Sequence, residues 1–459
     1  MALSREIIFP GKPFAKYVLS LALPVFLQNL ITFVLGMMDV IMLQGKGDVA
    51  VAAVSISNQA YLCLNLLIFG ISSGSSVLMS QFRGAKDYDS MRKAAIIAFG
   101  ILVLLLLPLT MFFTFFPETV LKLMTSEPEL VREAIPYLKI VSPTFLASGV
   151  TYVFSSLLRC NDRPKYPLFA SVTSISLNIV LNYILIYGKL GLTPMGISGA
   201  ALATAISKIV EMIIILLFVY KGDLSEIKLS PKDLAGFSMA HIKKFFVISL
   251  PIIFNEFSWG LCSTAYSAIY GRMGTVAVAA MSVANVIYQA FATLPNSVAY
   301  VTTVILGHLL GSEKFEEAKK RASTLSIYSV LSGLPMGGLM ILCAPFFSGT
   351  LFGALSSEVT AMSISFITIF GCYLPFHTYD FTAIAGILRS GGDSKVGAML
   401  DLLPMVFFGI PLGIFLGVVM KLSPVLVVGL MHLESAIKAV LALIRVKKYK
   451  WVRKIHSAY

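Results

Sequence analysis

The sequence predicts an all-α polytopic membrane protein, with twelve transmembrane helices in two pseudo-symmetric six-helix lobes. Composition is the first reason. Of the 459 residues, 57% are hydrophobic and only 13% are charged, whereas soluble domains are about 25% charged. The second reason is length, because a segment of about 20 apolar residues crosses a bilayer as a helix, and such segments follow one another along this chain. The third reason is an internal repeat.

Twelve apolar segments are long enough to cross the membrane. Their approximate limits are 17–43, 50–82, 93–116, 131–158, 166–188, 195–220, 244–271, 276–310, 320–347, 358–388, 396–420 and 424–445. Lys and Arg are concentrated in alternate connections and in the tail RVKKYKWVRK. By the positive-inside rule, both termini are expected in the cytoplasm, which agrees with an even number of spans. We therefore expect a multi-pass protein of the cytoplasmic (inner) membrane.

The second half of the chain repeats the first at a constant offset. LALP at 21–24 recurs as ISLP at 248–251, and VAAVSISN at 51–58 recurs as VAAMSVAN at 278–285, both at the offset that separates Pro24 from Pro251. Because each half has an even number of spans, the halves are parallel repeats, a plan of transporters with a site near mid-membrane. The predicted organisation is an N-terminal lobe at 1–220, a cytoplasmic linker at 221–240, a C-terminal lobe at 241–445 and a basic cytoplasmic tail at 446–459.

The net charge of +13 follows from the loop lysines and arginines that set topology, so we expect no nucleic-acid partner. The five cysteines show no CxxC or paired spacing. That pattern indicates neither a disulfide framework nor a thiolate metal site, and no cofactor is expected.

The first span carries an acid inside its apolar segment. Asp39 lies four residues before the predicted outer end, and Pro24 lies near the start. A carboxylate in hydrocarbon is costly and by default marks a transport path. Proline removes a backbone hydrogen bond and kinks helices, so straightening at Pro24 is one way to couple protonation to lobe closure.

The fifth and sixth spans carry polar residues at the same predicted depth as Asp39. Asn178 and Asn182 are one helical turn apart, and Thr204 belongs to the next span. Carboxylate, amide and hydroxyl oxygens suit a hard cation, so Asp39, Asn178, Asn182 and Thr204 are candidate ligands for Na+. Hydrogen bonding between helices is the alternative role of the two amides.

The second half has two acids of its own at predicted mid-membrane depth. Glu256 lies five residues after Pro251, and Asp380 lies nine residues before the expected cytoplasmic Arg389. Their predicted burial makes both candidates for a second-lobe cation or substrate site.

The other ionisable residues of the spans are interpreted as structural. Lys208 with Glu211, and Glu434 with Lys438, are spaced to neutralise each other along one helix face. Asp401 lies close to the cytoplasmic start of its span and is expected to reach water.

Several longer segments together are typical of one family. They are LPVFLQNLITFVLGMMDVIM, SQFRGAKD, LLRCNDRPKYP, SLNIVLNYILIYG, GISGAALATAIS, LPIIFNEFSWGLCSTAYSAIYGRMG and ILRSGGDSK. In this order they resemble the MATE family, the multidrug and toxic compound extrusion transporters, over essentially the whole chain. The resemblance implies a two-lobe exporter of amphipathic organic cations, driven by inward flow of Na+ or H+.

The resemblance also bears on the site residues. It adds the backbone carbonyl of Ala200 as a further ion ligand. It implies a cation site formed by acids in the seventh and tenth spans, which Glu256 matches well and Asp380 less well. Many relatives have an acid where this chain has Asn182, a difference that favours H+ over tight Na+ binding.

Three other classes are weaker. A lipid-linked or metabolite flippase of the same superfamily requires a basic cavity for an anionic headgroup, and the spans contain few unpaired basic residues. A membrane enzyme has little support, since the motif from His308 to Glu313 lies at a cytoplasmic loop with no supporting context. A channel does not require lobed repeats. We expect a monomer whose partners are small organic cations and the lipid bilayer.

Overall fold

The computed structural model describes residues 11–44, 48–125, 127–222, 225–234, 239–351 and 356–455, and all regular structure in these ranges is helical. The α-helices of the first half are α1 (Gly11–Gln44), α2 (Asp48–Gly84), α3 (Tyr88–Phe115), α4 (Pro117–Lys122), α5 (Pro128–Val141), α6 (Thr144–Cys160), α7 (Lys165–Tyr187) and α8 (Gly196–Lys221). Those of the second half are α9 (Met239–Arg272), α10 (Thr275–Gly311), α11 (Phe315–Phe346), α12 (Ser357–Phe381), α13 (Ser394–Pro404), α14 (Ile410–Gly413), α15 (Pro424–Met431) and α16 (Leu433–Lys447).

The predicted spans are confirmed. Within the described ranges, eleven helices are long and apolar enough to cross a bilayer, and the bent pair of α5 and α6 provides a twelfth. The two members of the pair meet at 47°. Pro143 lies at the break, and because proline has no backbone N–H, the helical ladder is interrupted there.

The tenth and eleventh spans depart from regular α-helix. Backbone of π-helical geometry continues α12 over Thr382–Leu388, and similar turns cover Met405–Gly409 and Ile414–Val419. Such turns are rare and frequently lie at functional sites. The first of them lies between Asp380 and Arg389, two residues considered below.

The chain forms two compact units whose boundaries fall inside helices. The N-unit comprises Leu27–Met79 and Asp87–Ser249, and the C-unit comprises Met1–Phe26, Ser80–Lys86 and Leu250–Tyr459. Helices α1, α2 and α9 are therefore each divided between units, α1 two residues after Pro24. These limits differ from the predicted lobes at 1–220 and 241–445, because the first part of α1 and the end of α2 belong to the C-unit and the first part of α9 belongs to the N-unit. The predicted lobe boundaries stay a prediction.

Small residues bring helices close together within the N-unit. A Cβ added at Gly199 of α8 would lie 2.8 Å from the carbonyl oxygen of Leu185 on α7, so glycine alone allows this approach. Close backbone contact of this kind is how helices associate in membranes. It sets α7 against α8, the two helices that carry Asn178, Asn182 and Thr204.

The C-unit contains a helix crossing that follows the sequence repeat. A Cβ at Gly84 of α2 would lie 2.1 Å from the carbonyl oxygen of His308, and a Cβ at Gly311 of α10 would lie 1.9 Å from that of Gln81. His308 and Gly311 are the counterparts of Gln81 and Gly84 at the offset of the repeat. Equivalent residues of the two repeats thus make equivalent contacts across a local pseudo-two-fold axis.

The end of the described chain is packed inside the same unit. The side chain of Trp451 is fully buried, and its carbonyl oxygen lies so close to Gly391 that a Cβ there would be 1.7 Å away. Arg453 donates from Nε to the carbonyl of Gly391, at 2.9 Å. The backbone N–H of Ile455 donates to Oε1 of Gln81, at 2.8 Å. Up to Ile455, the basic tail is therefore an ordered part of the C-unit.

Candidate functional site

The N-unit brings three of the predicted ion ligands together. The amide Nδ2 of Asn182 donates to Oδ1 of Asn178, at 2.9 Å, and Nδ2 of Asn178 donates to Oγ1 of Thr204, at 3.4 Å. Asn178 and Asn182 are 1% and 0% exposed. The bond from Asn178 to Thr204 crosses from α7 to α8, which is the interhelical role that the alternative interpretation gives to the amides, whereas the bond from Asn182 to Asn178 lies within α7.

For the other two predicted ion ligands, Ala200 and Asp39, the structure gives less detail. Ala200 is buried on α8, one turn before Thr204. Asp39 belongs to α1, but its side chain lies outside the described residues. Tyr187, near the end of α7, donates its hydroxyl to the carbonyl of Met42, at 2.7 Å. That bond places the segment of α1 just after Asp39 beside α7.

A second polar network in the N-unit was not predicted in full. Lys208 donates to Oε2 of Glu211 at 3.0 Å, as the spacing indicated. Glu211 also accepts from the hydroxyl of Ser171, at 2.6 Å, and Ser171 in turn accepts from Nε2 of Gln28, at 2.9 Å. Arg159 donates to Oε1 of Gln28, at 2.6 Å. The pair along one helix is thus part of a network that reaches α1, α6 and α7.

In the C-unit, Glu256 forms a buried ion pair with a residue expected in a loop. Nη2 of Arg389 lies 2.8 Å from Oε1 of Glu256, and the two side chains are 5% and 13% exposed. The sequence predicts Arg389 in a connecting loop, whereas in the structure it lies at the end of the helical segment with its side chain buried. The π-helical continuation of α12 ends at Leu388, and the arginine that follows turns inward to the acid on α9.

Asp380 is a buried carboxylate of the C-unit with little compensation. Its side chain is 6% exposed, and Oδ1 lies 3.6 Å from Nδ1 of His377, one turn earlier on α12. Its second oxygen, Oδ2, is buried without a hydrogen-bond partner among the described residues. Burying an ionised carboxylate without compensation is very costly. Uptake of a proton or a cation would remove that cost.

Asp401 has partners that the sequence did not predict. Its side chain is 20% exposed, and its carboxylate accepts from Nζ of Lys438 at 2.9 Å and from Nδ2 of Asn255 at 3.0 Å. Asp401 lies two turns into α13, on the face directed at α16 and α9. The contact with Lys438 joins residues 37 positions apart, so no local spacing could predict it.

Lys438 therefore interacts with two carboxylates. Nζ lies 3.9 Å from Oε1 of Glu434, the predicted partner four residues earlier, and closer to Asp401. Glu434 accepts a short hydrogen bond from the hydroxyl of Tyr266 on α9. The polar cluster of the C-unit thus contains four acids and two bases, namely Glu256, Asp380, Asp401, Glu434, Arg389 and Lys438.

This polar cluster has an excess of acid. With all six groups ionised and the histidines neutral, two negative charges remain uncompensated. Glu256 and Asp380, the two acids predicted to act together, take different partners, Arg389 and His377. Asp401 lies near enough to interact electrostatically with both. In the described part of the chain, no group of three or more His, Cys, Asp or Glu side chains is arranged to hold a metal ion.

Comparison with known sequences identifies the family. The sequence profile of the MatE family matches residues 24–184 and again 251–415, together more than half of the chain. The chain belongs to the MatE family. The two matched segments begin at Pro24 and Pro251, the two prolines that mark the internal repeat. The family assignment made from the sequence and the two-repeat plan of this membrane transporter are therefore confirmed.

Full-length relatives support this assignment. The chain is 23% identical over 401 residues to the uncharacterized transporter YisQ of Bacillus subtilis, covering 87% of each chain. It is 25% identical to the probable multidrug resistance protein NorM of Mannheimia succiniciproducens, over 88% of this chain and 86% of the relative. The multidrug resistance protein PmpM of Pseudomonas aeruginosa is also 25% identical, over 88% and 84%.

Solved structures show the same fold. A crystal structure of MATE in complex with MaL6 superposes with a TM-score of 0.86 at 19% identity, covering 98% of this chain and all of that one. A transporter of the MOP superfamily from Pyrococcus furiosus gives 0.85 at 20% identity, covering 98% and 99%. At these identities the likeness concerns the fold alone.

Proposed function

We propose that this MatE-family transporter is a secondary active multidrug exporter. It exchanges Na+ or H+ for amphipathic organic cations by alternating access of its two repeats. The observation that carries the proposal is the excess of buried acid in the polar cluster of the C-unit. Buried ionisable groups of a membrane protein are costly and mark the paths of ions and substrates. Relatives named as multidrug resistance proteins support the choice of substrate class.

The proposed cycle depends on neutralising a buried acid. When the protein opens outward, a carboxylate takes up H+ or Na+, which weakens the binding of a cationic drug and favours its release. After the protein opens inward, the ion leaves and the carboxylate again attracts a cation. Asp380 suits this role in the C-unit because one of its oxygens has no hydrogen-bond partner in the described structure.

The N-unit contributes a second proposed coupling site. Asp39, Asn178, Asn182, Thr204 and the carbonyl of Ala200 form the set. The hydrogen bonds from Asn182 to Asn178 and from Asn178 to Thr204 support it, since they already align three of the polar side chains. The contact of Tyr187 with Met42 adds support by bringing α7 to the part of α1 that carries Asp39.

Energetics favour two coupling sites over one. Exchange of one H+ for one monovalent cation moves no net charge, so only the concentration gradient of the ion drives export. The membrane potential is worth about 2.3 kcal/mol per charge per 100 mV. Using it requires a second coupling ion or a neutral substrate, and acids in both units supply a second place for an ion.

A flippase for anionic lipid-linked substrates fits the structure less well. Its cavity would need basic side chains to face an anionic headgroup. The described polar cluster has the opposite balance, since Arg389 and Lys438 are both engaged by carboxylates.

Dye efflux from everted vesicles tests the proposed function. Ethidium transport is compared for wild type, Asp39→Asn and Glu256→Gln, first under a Na+ gradient and then under a pH gradient. The control variant is Glu118→Gln, which removes an exposed acid paired with Lys122 on α4. We expect export by wild type and the control under one gradient and a large loss in both test variants. Failure of wild type under both gradients, with a panel of cationic dyes, would refute the multidrug function.

A further inference from the structure

Lys438 is a cation held inside the acidic region of the C-unit. Its side chain is 7% exposed, and Nζ lies 2.9 Å from Oδ1 of Asp401 and 3.9 Å from Oε1 of Glu434. These two carboxylates come from α13 and α16. Asp380 on α12 is the third acid whose charge acts on the ammonium group. Three helices therefore direct a negative charge at one lysine.

This arrangement differs from an ordinary structural ion pair. In a simple pair, the charge of one base compensates the charge of one acid, and no net charge remains. Here the single ammonium group is shared, and Asp380 keeps a buried oxygen, Oδ2, with no hydrogen-bond partner in the described structure. The ammonium group lies between the carboxylates of Asp401 and Glu434.

We propose that Lys438 is the resident cation of this site, and that its presence makes the acids of the C-unit respond to H+ and not to Na+. A Na+ ion near Asp401 and Glu434 would have to displace the ammonium or lie beside it, where like charges repel strongly in a poorly polarisable surrounding. A proton meets no such obstacle. It is transferred from hydronium to Oδ2 of Asp380, so that one O–H bond breaks as water leaves and one O–H bond forms, and it needs no shell of oxygen ligands.

The surroundings of the two groups agree with this assignment. Asp380 and His377 lie on α12, and the ring of Tyr288 on α10 lies 5.9 Å from the His377 ring, centroid to centroid, at a tilt of 58°. Tyr266 on α9 donates a hydrogen bond to Glu434, so Glu434 has two partners, Tyr266 and Lys438. The remaining charged and titratable groups near the site are Asp401, Glu256, Arg389, His432, Cys262 and Tyr270. Asp380 is therefore the acid with the least compensation.

The inference rests on the proposed function for its role in transport, but its test does not require transport. Thermal unfolding of the full-length protein in detergent is followed in NaCl and in choline chloride at equal ionic strength. All variants carry Asp39→Asn, which removes the candidate acid of the N-unit. A ligand that binds the folded state raises the unfolding midpoint in proportion to RT ln(1 + [L]/Kd).

We expect Lys438→Met to acquire a stabilisation by Na+ of about 3 °C or more over choline, because the vacated space is lined by carboxylates. The parent protein and Lys438→Arg, which keeps the charge, are expected to show no such difference. Lys122→Met is the matched control, since it removes the lysine partner of an exposed acid, and it is expected to behave as the parent.

Removing Lys438 leaves buried acids uncompensated, so a second variant protects the test against failure to fold. Lys438→Met combined with Glu434→Gln has one carboxylate fewer, and it is expected to respond to Na+ through Asp401 and Asp380. A folded variant without any Na+ response would overturn the inference, and so would an equal response of the parent. If wild type exports no dye but Lys438→Met gains the Na+ response, the proposed function fails while the role of Lys438 is supported.

Discussion

At the scale of single residues, Asp380 gives the most direct prediction. Asp380→Asn keeps the shape of the side chain but removes its charge and its capacity to take up a proton. If this carboxylate couples the proton gradient to export, dye efflux driven by a pH gradient should fall by about tenfold or more. The measurement is the initial rate of efflux from proteoliposomes at equal protein content. Efflux within a factor of two of wild type would show that Asp380 is not a coupling group.

The ion pair of Glu256 and Arg389 predicts an effect on stability. Arg389→Met leaves the buried Glu256 without its partner, and breaking a buried pair in this way costs about 3–5 kcal/mol. Arg389→Met combined with Glu256→Gln removes both charges and should recover most of that loss. Thermal unfolding in detergent measures the difference. A double variant as unstable as the single one would show that the arginine stabilises the protein by packing and not by charge.

The sequence predicted which ionisable residues are candidates for a site more readily than it predicted which partners they have. The acids were found because a carboxylate stands out in an apolar span, and the pair of Lys208 and Glu211 follows from helical spacing. The partners of Asp401 and Glu256 are 37 and 133 residues away. Those contacts depend on how α9, α12, α13 and α16 pack, which the sequence of one helix does not contain.

At the scale of helices, a Gly→Ala substitution is expected to be destabilising at the crossing of α2 and α10 and tolerated at an open position of α11. Gly84→Ala places a methyl group where the backbone oxygen of His308 lies 2.1 Å away, so the helices must separate. Gly338→Ala on α11 adds a methyl group with nothing within 4 Å. The first variant should lower the unfolding temperature. The second should be neutral or stabilising by about 0.5–1 kcal/mol, because alanine favours helix over glycine.

The crossing of α2 and α10 also allows the pseudo-two-fold relation between its two glycines to be tested. Gly311→Ala meets the oxygen of Gln81 as Gly84→Ala meets that of His308, so both variants should be destabilised to a similar degree. Circular dichroism during heating measures both. A large loss in one variant with none in the other would contradict the pseudo-two-fold arrangement.

Span limits could be predicted from hydropathy, whereas the interior geometry of the spans could not. The fourth span, predicted at 131–158, is a bent pair, and Pro143 is the signal that would have located the bend. The π-helical turn at Thr382–Leu388 has no comparable signal in its sequence. The helix continues through Ser390, so Arg389 belongs to the end of this helical segment and not to the loop that follows.

At the scale of the whole molecule, the repeat carried the prediction of the fold. Its constant offset was visible in short motifs and recurs between the two family matches, which begin at Pro24 and Pro251.

Orientation in the membrane rests on loop charge alone and can be tested directly. In a variant without native cysteines, Lys232→Cys should react with a membrane-impermeant maleimide in everted vesicles, and Lys421→Cys in intact cells. The reverse pattern would place both termini outside.

The C-unit also has a consequence for the order in which the protein is made. One hydrophobic core joins Val18 and Leu21 near the start of the chain to Leu306 in its middle and Trp451 near its end. The ribosome synthesises Val18 and Leu21 long before Leu306 and Trp451, whereas Leu27–Met79 and Asp87–Ser249 are complete as soon as Ser249 has been added. Domains generally fold as units during synthesis. The N-unit can therefore fold before most of the C-unit has been synthesised, while the first turns of α1 gain their last packing partner in this core only when Trp451 has been made.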